Sequence, residues 1–247
     1  MAIRPVLVVA GVGNATGTGA ATARLFAKAG YRVALIARNA DRLKKAAEEI
    51  NNSGRRGLHP CHLQIKSYRW PSQQKAEIRV ALYNVGAGVW GKFLDISEED
   101  IQSVVDANIT AAFAFARQII LAFKENEVDE LGRRGTLLFT GATAGLRGNV
   151  TTSAFSAGKF ALRALSQSLN KEFGKENIHV AHAIIDGVIL TDLSLTRAAG
   201  QGLSDFQQNA DIRLNPESIA KSYMYLANQD RSAWTWELDL RPAHEKW

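Results

Sequence analysis

Short runs that are apolar at every position alternate along this chain with longer stretches that are apolar on one side only. Val6–Ala10 is the first such run, the pattern of a strand covered on both faces. Residues 20–29 follow as a helix with Leu25, Phe26 and Ala29 on one side and Gly30 as its stop. Residues 32–37 predict a second strand, and 40–51 (ADRLKKAAEEIN) a charged helix facing solvent that ends before Gly54. Residues 58–65 and 78–84 read as strands three and four. A long helix starts near Ser97, where S-E-E-D supplies a cap with acids in the first turn, and runs through AAFAFARQIILAF. That stretch is apolar nearly all round, so it is expected to pack on two sides. Residues 135–140 form strand five, 152–173 a second long helix and 179–185 strand six. Residues 192–214 are polar and read as an irregular loop over a site. A helix over 216–229, with proline at its first turn, and a strand over 234–240 close the chain.

Strands that alternate with helices at this spacing imply an α/β fold with a parallel, doubly wound sheet and helices on both faces. No repeat, low-complexity segment or linker interrupts it, so 1–247 reads as one domain. One connection is unusual. Residues 66–77 (KSYRWPSQQKAE) join strands three and four with Pro71 in the middle. A parallel crossover needs about a dozen residues and usually holds a helix, which proline breaks to a turn or so. The crossover is therefore shortened: either a strained loop leaves part of one sheet face bare, some of which Trp70 could cover, or a helix has been lost from the chain.

Composition narrows the class. With 46% hydrophobic and 22% charged residues in 247, disorder and collagen-like repeats are excluded. No apolar run approaches the roughly 18 residues of a membrane span, and MAIRPVLVVAG reads as a first strand followed by glycines rather than a signal peptide. Cys61 is the only cysteine, which excludes an intrachain disulfide; a cytoplasmic protein is expected, and the N-x-T triplets at Asn14, Asn108 and Asn149 carry no glycosylation message. His59 and His62 flank Cys61, but a zinc site needs about four ligands, so no metal is expected. The 30 Lys and Arg against 24 Asp and Glu leave a net +6 without a long basic run. That charge suits an anionic small ligand, and neither a nucleic-acid nor a membrane partner is expected.

The turn after strand one reads Gly11-Val-Gly13-Asn14-Ala-Thr16-Gly17-Thr18-Gly19 and opens a helix. Strand, glycines and helix in the first unit of an alternating chain point to a dinucleotide: glycines let the backbone approach a pyrophosphate, which sits on free amides at the helix N-terminus. The competing reading is a tight structural turn. A phosphate-cradling NTPase loop is excluded because Ala20 follows Gly19. Strand two ends in Ala37-Arg38-Asn39. An acid there binds a ribose 2′-hydroxyl, whereas Arg38 suits a 2′-phosphate, so NADP(H) is favoured over NAD(H). Arg42, Lys44 and Lys45 add positive field, although a solvated helix face accounts for them equally.

At this point the chain resembles the short-chain dehydrogenase/reductase family over nearly its whole length, which implies a single Rossmann sheet and a nicotinamide cofactor. Gly13-x3-Gly17-x-Gly19 resembles that family's glycine motif. Asn84-Val85-Gly86-Ala87 is similar to its N-A-G turn, with Tyr83 replacing a usual first asparagine. Asn108 matches the helix asparagine that holds a proton-relay water, and Lys159 the lysine of Y-x-x-x-K. Asp186-Gly187, with Ile189 and Thr191, resembles the segment that contacts the nicotinamide amide. The resemblance implies cofactor contacts from Gly11, Gly13, Asn14, Thr16, Gly17, Thr18, Gly19, Arg38, Asn39, Asn84, Gly86, Lys159, Gly187, Ile189 and Thr191. Asn108 and Lys159 would be catalytic.

The departures matter as much. Phe155 stands at the tyrosine position and Ala142 at the serine position, so both reacting hydroxyls are absent. Asp186 stands where proline is usual, and Lys66-Ser67 where an acid normally touches adenine. Phe155 and Lys159, four apart, share a helix face, so the lysine still points to the cofactor side. General acid–base catalysis contributes typically about 10²–10⁴-fold, so the loss is large. Thr143, beside Ala142, is the best substitute hydroxyl, with a turn hydroxyl bonding its own backbone as the competing role. Ser156 faces elsewhere, and Thr151, Thr152 and Ser153 are expected to cap the helix. His179 and His182 alternate on strand six, so at most one should face the core.

Two functions stay open. The first is an NADP(H)-dependent oxidoreductase of carbonyls or alcohols with atypical proton delivery. The loop at 192–214 would close over the substrate, with Leu193, Leu195, Leu203 and Phe206 inside. The second is a non-redox NADP-binding sensor, interaction partner or scaffold for another reaction. The resemblance also implies a homodimer or tetramer through the helices at 98–123 and 152–173.

Overall fold

Seven parallel strands make one sheet in the order β3-β2-β1-β4-β5-β6-β7. They are β1 (Val6–Ala10), β2 (Arg32–Ile36), β3 (Leu58–Pro60), β4 (Ile78–Tyr83), β5 (Gly135–Thr140), β6 (Ile178–Ile185) and β7 (Glu237–Leu240). The computed structural model describes residues 4–13, 15–52, 58–60, 77–198 and 203–245. The expected shortened crossover at 66–77, Trp70 and the second half of the predicted third strand lie outside the described residues.

Burial explains the strands. All five residues of β1 and all eight of β6 are buried, because helices cover both faces. Successive side chains of β1 divide accordingly. Leu7 and Val9 join a cluster with Phe26, Leu35 and Tyr223 on the side of α1 (Thr18–Lys28), α2 (Ala40–Asn52) and α8 (Pro216–Ala227). Val6, Val8 and Ala10 join Tyr83, Phe115 and Leu162 on the other side, under α4 (Ala111–Lys124) and α5 (Ser153–Phe173). The strand order reverses between β1 and β4, so a cleft opens beyond their carboxyl ends.

The predicted helix from Ser97 is present in two phases. Glu98–Val105 (α3) begins with the expected capping box: Ser97 Oγ accepts from the Asp100 amide at 3.1 Å, and Asp100 Oδ2 accepts from the Ser97 amide at 3.3 Å. A wide π turn, Asp106–Thr110, then separates α3 from α4, where a continuous α-helix was expected. The stretch Glu98–Lys124 is long and apolar enough to cross a bilayer, and half of its most apolar window is buried inside this fold.

Residues 192–214 correct the sequence reading more strongly. They hold α6 (Asp192–Ala198), α7 (Leu203–Gln208) and a short turn at Ala210–Ile212, not an irregular loop. Thr191 starts α6: its hydroxyl oxygen accepts from the Ser194 amide at 3.1 Å. Leu193 is exposed, whereas Leu195 and Phe206 are half-buried; the Leu203 side chain lies outside the described residues. Several boundaries also move. α1 begins at Thr18, β4 ends at Tyr83, α8 ends at Ala227 and β7 begins at Glu237.

Candidate active site

The glycine turn separates into glycines that the fold requires and one that faces open space. A Cβ on Gly11, whose φ is +93°, would come 2.5 Å from the carbonyl carbon of Asn84. One on Gly19 would come 2.5 Å from the Gly11 oxygen. Gly13, at φ +46°, has nothing within 4 Å of a built Cβ. Asn14 lies outside the described residues. Gly17 precedes α1 in extended conformation without any side-chain cap, and the first turn carries no acid. Thr18 Oγ1 is buried without a partner. Uncapped amides, an orphaned hydroxyl and open space at Gly13 fit an anionic group such as a pyrophosphate. Thr16 is exposed and its hydroxyl accepts from the Asp192 amide at 3.2 Å, which ties the turn to α6. Arg38 and Asn39 are exposed beyond the end of β2.

Asn84 works as a clamp. Its Nδ2 donates to the Gly11 carbonyl at 2.8 Å, and its Oδ1 accepts from Thr140 Oγ1 at 2.8 Å. Thr140 Oγ1 in turn lies 2.7 Å from the Tyr223 hydroxyl. The side chain thus joins the ends of β1, β4 and β5. Tyr83 is fully buried and donates to the Ala107 carbonyl at 2.5 Å, within the π turn.

That turn carries Asn108, which is fully buried. Its Nδ2 donates to the carbonyls of Ala87 (3.2 Å) and Val104 (3.1 Å), while Oδ1 is buried without a partner. Close approach is possible because α5 presents Gly158: a Cβ there would lie 3.0 Å from Asn108 Nδ2. One residue on, Lys159 donates from Nζ to the Thr140 carbonyl at 3.0 Å. A single point, the Cβ position of Gly86, lies 3.3 Å from Lys159 Nζ and 3.8 Å from Asn108 Oδ1. Burial lowers the Lys159 amine from 10.5 to about 8. Among the described residues no carboxylate pairs with it.

Apolar groups stand beside Lys159. The Phe155 ring lies 6.0 Å from Lys159 Nζ and 4.9 Å from the Trp90 ring. Trp90 folds over Gly88, where any Cβ would come within 2.2 Å of the indole. Ala142 is extended and its carbonyl accepts from Gly145. Thr143 opens the following tight turn, and its carbonyl accepts from Leu146 and Arg147. Its hydroxyl makes no hydrogen bond among the described residues, so the structure does not join it to Lys159 or Asn108. Thr152 Oγ1 bonds Asn149 and lies 3.0 Å from Ser156 Oγ instead of capping α5.

Past β6, Gly187 has φ +143° and packs against Pro242, 2.8 Å from a built Cβ. Asp186 is buried and paired with Arg241, which also holds Asp239 at 2.9 Å. Ile189 bridges to Leu214. The Thr191 hydroxyl is engaged as the helix cap described above.

Sequence reasoning missed Trp90, and it misjudged the two histidines. Both His179 and His182 are fully buried, because β6 is covered on both faces. His179 bonds the Thr235 carbonyl at 2.8 Å and stacks on Trp234. His182 lies against Gly141, with both ring nitrogens unpartnered. Burial pushes each imidazole down to about 4.

A family model described as short chain dehydrogenase matches residues 6–202. The 3-oxoacyl-(acyl-carrier-protein) reductase of Chlamydia muridarum is 26% identical over 234 residues, 89% of each chain. Among solved structures, a short-chain dehydrogenase from Rhodopseudomonas palustris superposes with a TM-score of 0.74 at 29% identity, covering 96% of this chain and 98% of that one. The NADPH-bound structure of a Pseudomonas aeruginosa short chain oxidoreductase containing an atypical catalytic center superposes with a TM-score of 0.80 at 17% identity, covering both chains fully at 100%.

Proposed function

The chain belongs to the short-chain dehydrogenase family, and from that premise we propose that it is an NADP(H)-dependent oxidoreductase acting on a carbonyl or alcohol without the usual tyrosine hydroxyl. The observation that carries this reading is the cluster at the mouth of the cleft. Lys159 Nζ and Asn108 Oδ1 converge on Gly86, at the sheet's switch point and beside an uncapped α1.

In this reading, the amides of Gly17, Thr18 and Gly19 and the Thr18 hydroxyl hold the pyrophosphate, and Arg38 meets the 2′-phosphate. Lys159 keeps two N–H donors beyond the one given to Thr140, enough to hold the nicotinamide ribose. Asn108 Oδ1 accepts a bond from water. The Trp90 and Phe155 rings, in contact with each other, give the reacting centre an apolar side next to Lys159. When bound, the nicotinamide supplies or accepts the hydride; every proton must come from the protein or water. NADPH and NADH titrations by fluorescence test the cofactor. Arg38→Asp is expected to weaken NADPH far more than NADH, and equal weakening would remove the phosphate assignment.

A second reading is a non-redox NADP-binding protein, favoured by Ala142 and Phe155 together. Turnover by wild type comparable to that of an Ala142→Ser/Phe155→Tyr double variant would exclude it. A homodimer through α4 and α5, whose Phe113, Leu121 and Phe160 are exposed, completes the proposal and would give a two-chain mass on gel filtration. The lone Cys61 suits a reducing, cytoplasmic location.

A further inference from the structure

Removing the tyrosine hydroxyl leaves the question of where the proton comes from, and the groups around the cleft answer it by elimination. The Tyr83 hydroxyl is spent on the Ala107 carbonyl, and the hydroxyls of Thr140 and Tyr223 on each other and on Asn84. The Asn108 amide has no acidic proton to give. Thr143 carries an ordinary alcohol with no base bonded to it. His182, which faces Lys159 from β6, is fully buried behind Gly141 and neutral above about pH 4. Arg163, one turn along α5, is held by Glu237 of β7 at 2.6 and 2.8 Å and does not give up a proton. Lys159 is left. One of its three N–H groups goes to the Thr140 carbonyl, and its nitrogen stands 3.3 Å from the built Cβ of Gly86, a residue exposed to the cleft.

We propose that Lys159 is itself the proton donor of the reaction, acting directly from the place beside Phe155 in which a tyrosine would otherwise intervene. This rests on the oxidoreductase reading above. In the reducing direction the hydride of the reduced nicotinamide forms a C–H bond at the carbonyl carbon. The C=O π pair moves to oxygen and takes a proton from Nζ: one N–H bond breaks and one O–H bond forms. The products are alcohol, oxidised nicotinamide and a neutral amine, which regains its proton from water held at Asn108 Oδ1. In the oxidising direction the neutral amine takes the hydroxyl proton. The apolar wall of Trp90 and Phe155 supports this role, because desolvation makes the ammonium a stronger acid than a surface lysine while leaving it mostly protonated near neutrality.

The test combines nucleotide binding, lysine labelling and pH profiles on the full chain. Competitive acetylation with acetic anhydride, read by mass spectrometry, gives the midpoint of Lys159 without turnover. The expected midpoint is about 8. The kcat for carbonyl reduction should fall above that same pH, and kcat for alcohol oxidation should rise through it. Lys159→Arg keeps a cation for the ribose but not a transferable proton. It should lower kcat by roughly 100-fold while the NADPH dissociation constant moves by less than about threefold, within the scatter of a retained hydrogen bond. An unchanged kcat in Lys159→Arg, or a kinetic limb that does not track the labelling midpoint, overturns the donor role and leaves the cofactor reading standing. NADPH binding without any turnover above buffer also overturns it. Failure to bind NADPH or NADH overturns the oxidoreductase reading itself. If Lys159→Arg does not fold, coincidence of the wild-type limb with the labelling midpoint decides the matter.

Discussion

The two sides of the cleft are held by different constraints. On the β1–α1 side the constraint is backbone against backbone: a Cβ on Gly11 would overlap the main chain of Asn84 beyond β4, and one on Gly19 would overlap the Gly11 carbonyl. On the β5–α5 side it is side chain against side chain, with Lys159 and Asn108 meeting at Gly86 and the Phe155 ring near both Lys159 and Trp90. A side chain at Gly11 or Gly19 would have to displace main chain. A change on the second side leaves the sheet intact, and that is the side where Ala142 and Phe155 stand. The lesson is that main-chain contacts fix the turn after β1, whereas side-chain packing shapes the face that α5 presents.

Four substitutions sharpen that contrast, in falling order of effect. Gly11→Ala places a Cβ 2.5 Å from Asn84 at φ +93° and should cost about 3 kcal/mol in urea unfolding. An unchanged midpoint would remove the distinction between the two sides. Lys159→Met probes the opposite side through pH. An amine lowered from 10.5 to about 8 in the folded state binds fewer protons than the unfolded chain between those values, so stability rises with pH across that window. The penalty is complete below about pH 8, and the gap between the variant and wild type should narrow by about 3 kcal/mol on raising pH from 8 to 10.5. A pH-independent gap would show that the amine is not desolvated. Asn84→Ala removes the clamp common to both sides and should cost about 2 kcal/mol by the same unfolding measurement. Gly13→Ala, with open space around it at φ +46°, should cost only about 1 kcal/mol of backbone strain. Its larger effect should appear as weaker NADPH binding in a fluorescence titration.

What could be read from the chain follows the same division. Continuous apolar runs such as Val6–Ala10 identified strands because burial on both faces leaves no polar position to confuse the pattern. Ser97 and Asp100 marked a helix start because a cap is local chemistry. The helices α6 and α7 were hidden, since short surface segments with exposed Leu193 and Asp192 lack a sustained apolar stripe. The burial of both His179 and His182 was hidden too: alternation along a strand says which face a residue takes, not whether that face is covered. At the site, the four-residue spacing of Phe155 and Lys159 placed both on one face. The contact of Trp90 with Phe155, a tilted pair of rings, depends on how a separate loop folds over Gly88, which no local pattern encodes.

The wide turn at Asp106–Thr110 has a consequence for how this molecule tolerates change. It behaves as one surplus residue absorbed within a helix, so α3 and α4 keep independent rotational phases while remaining end to end. Deleting a single residue there would restore ordinary winding, but it would swing everything on one side of the turn by about 100°. Either the apolar stripe of α4 would leave the sheet, or Asn108 Oδ1 would turn away from Gly86. The segment is therefore a coupling between length and aim. Losing a residue there would disarm the cleft without removing any of the groups that line it.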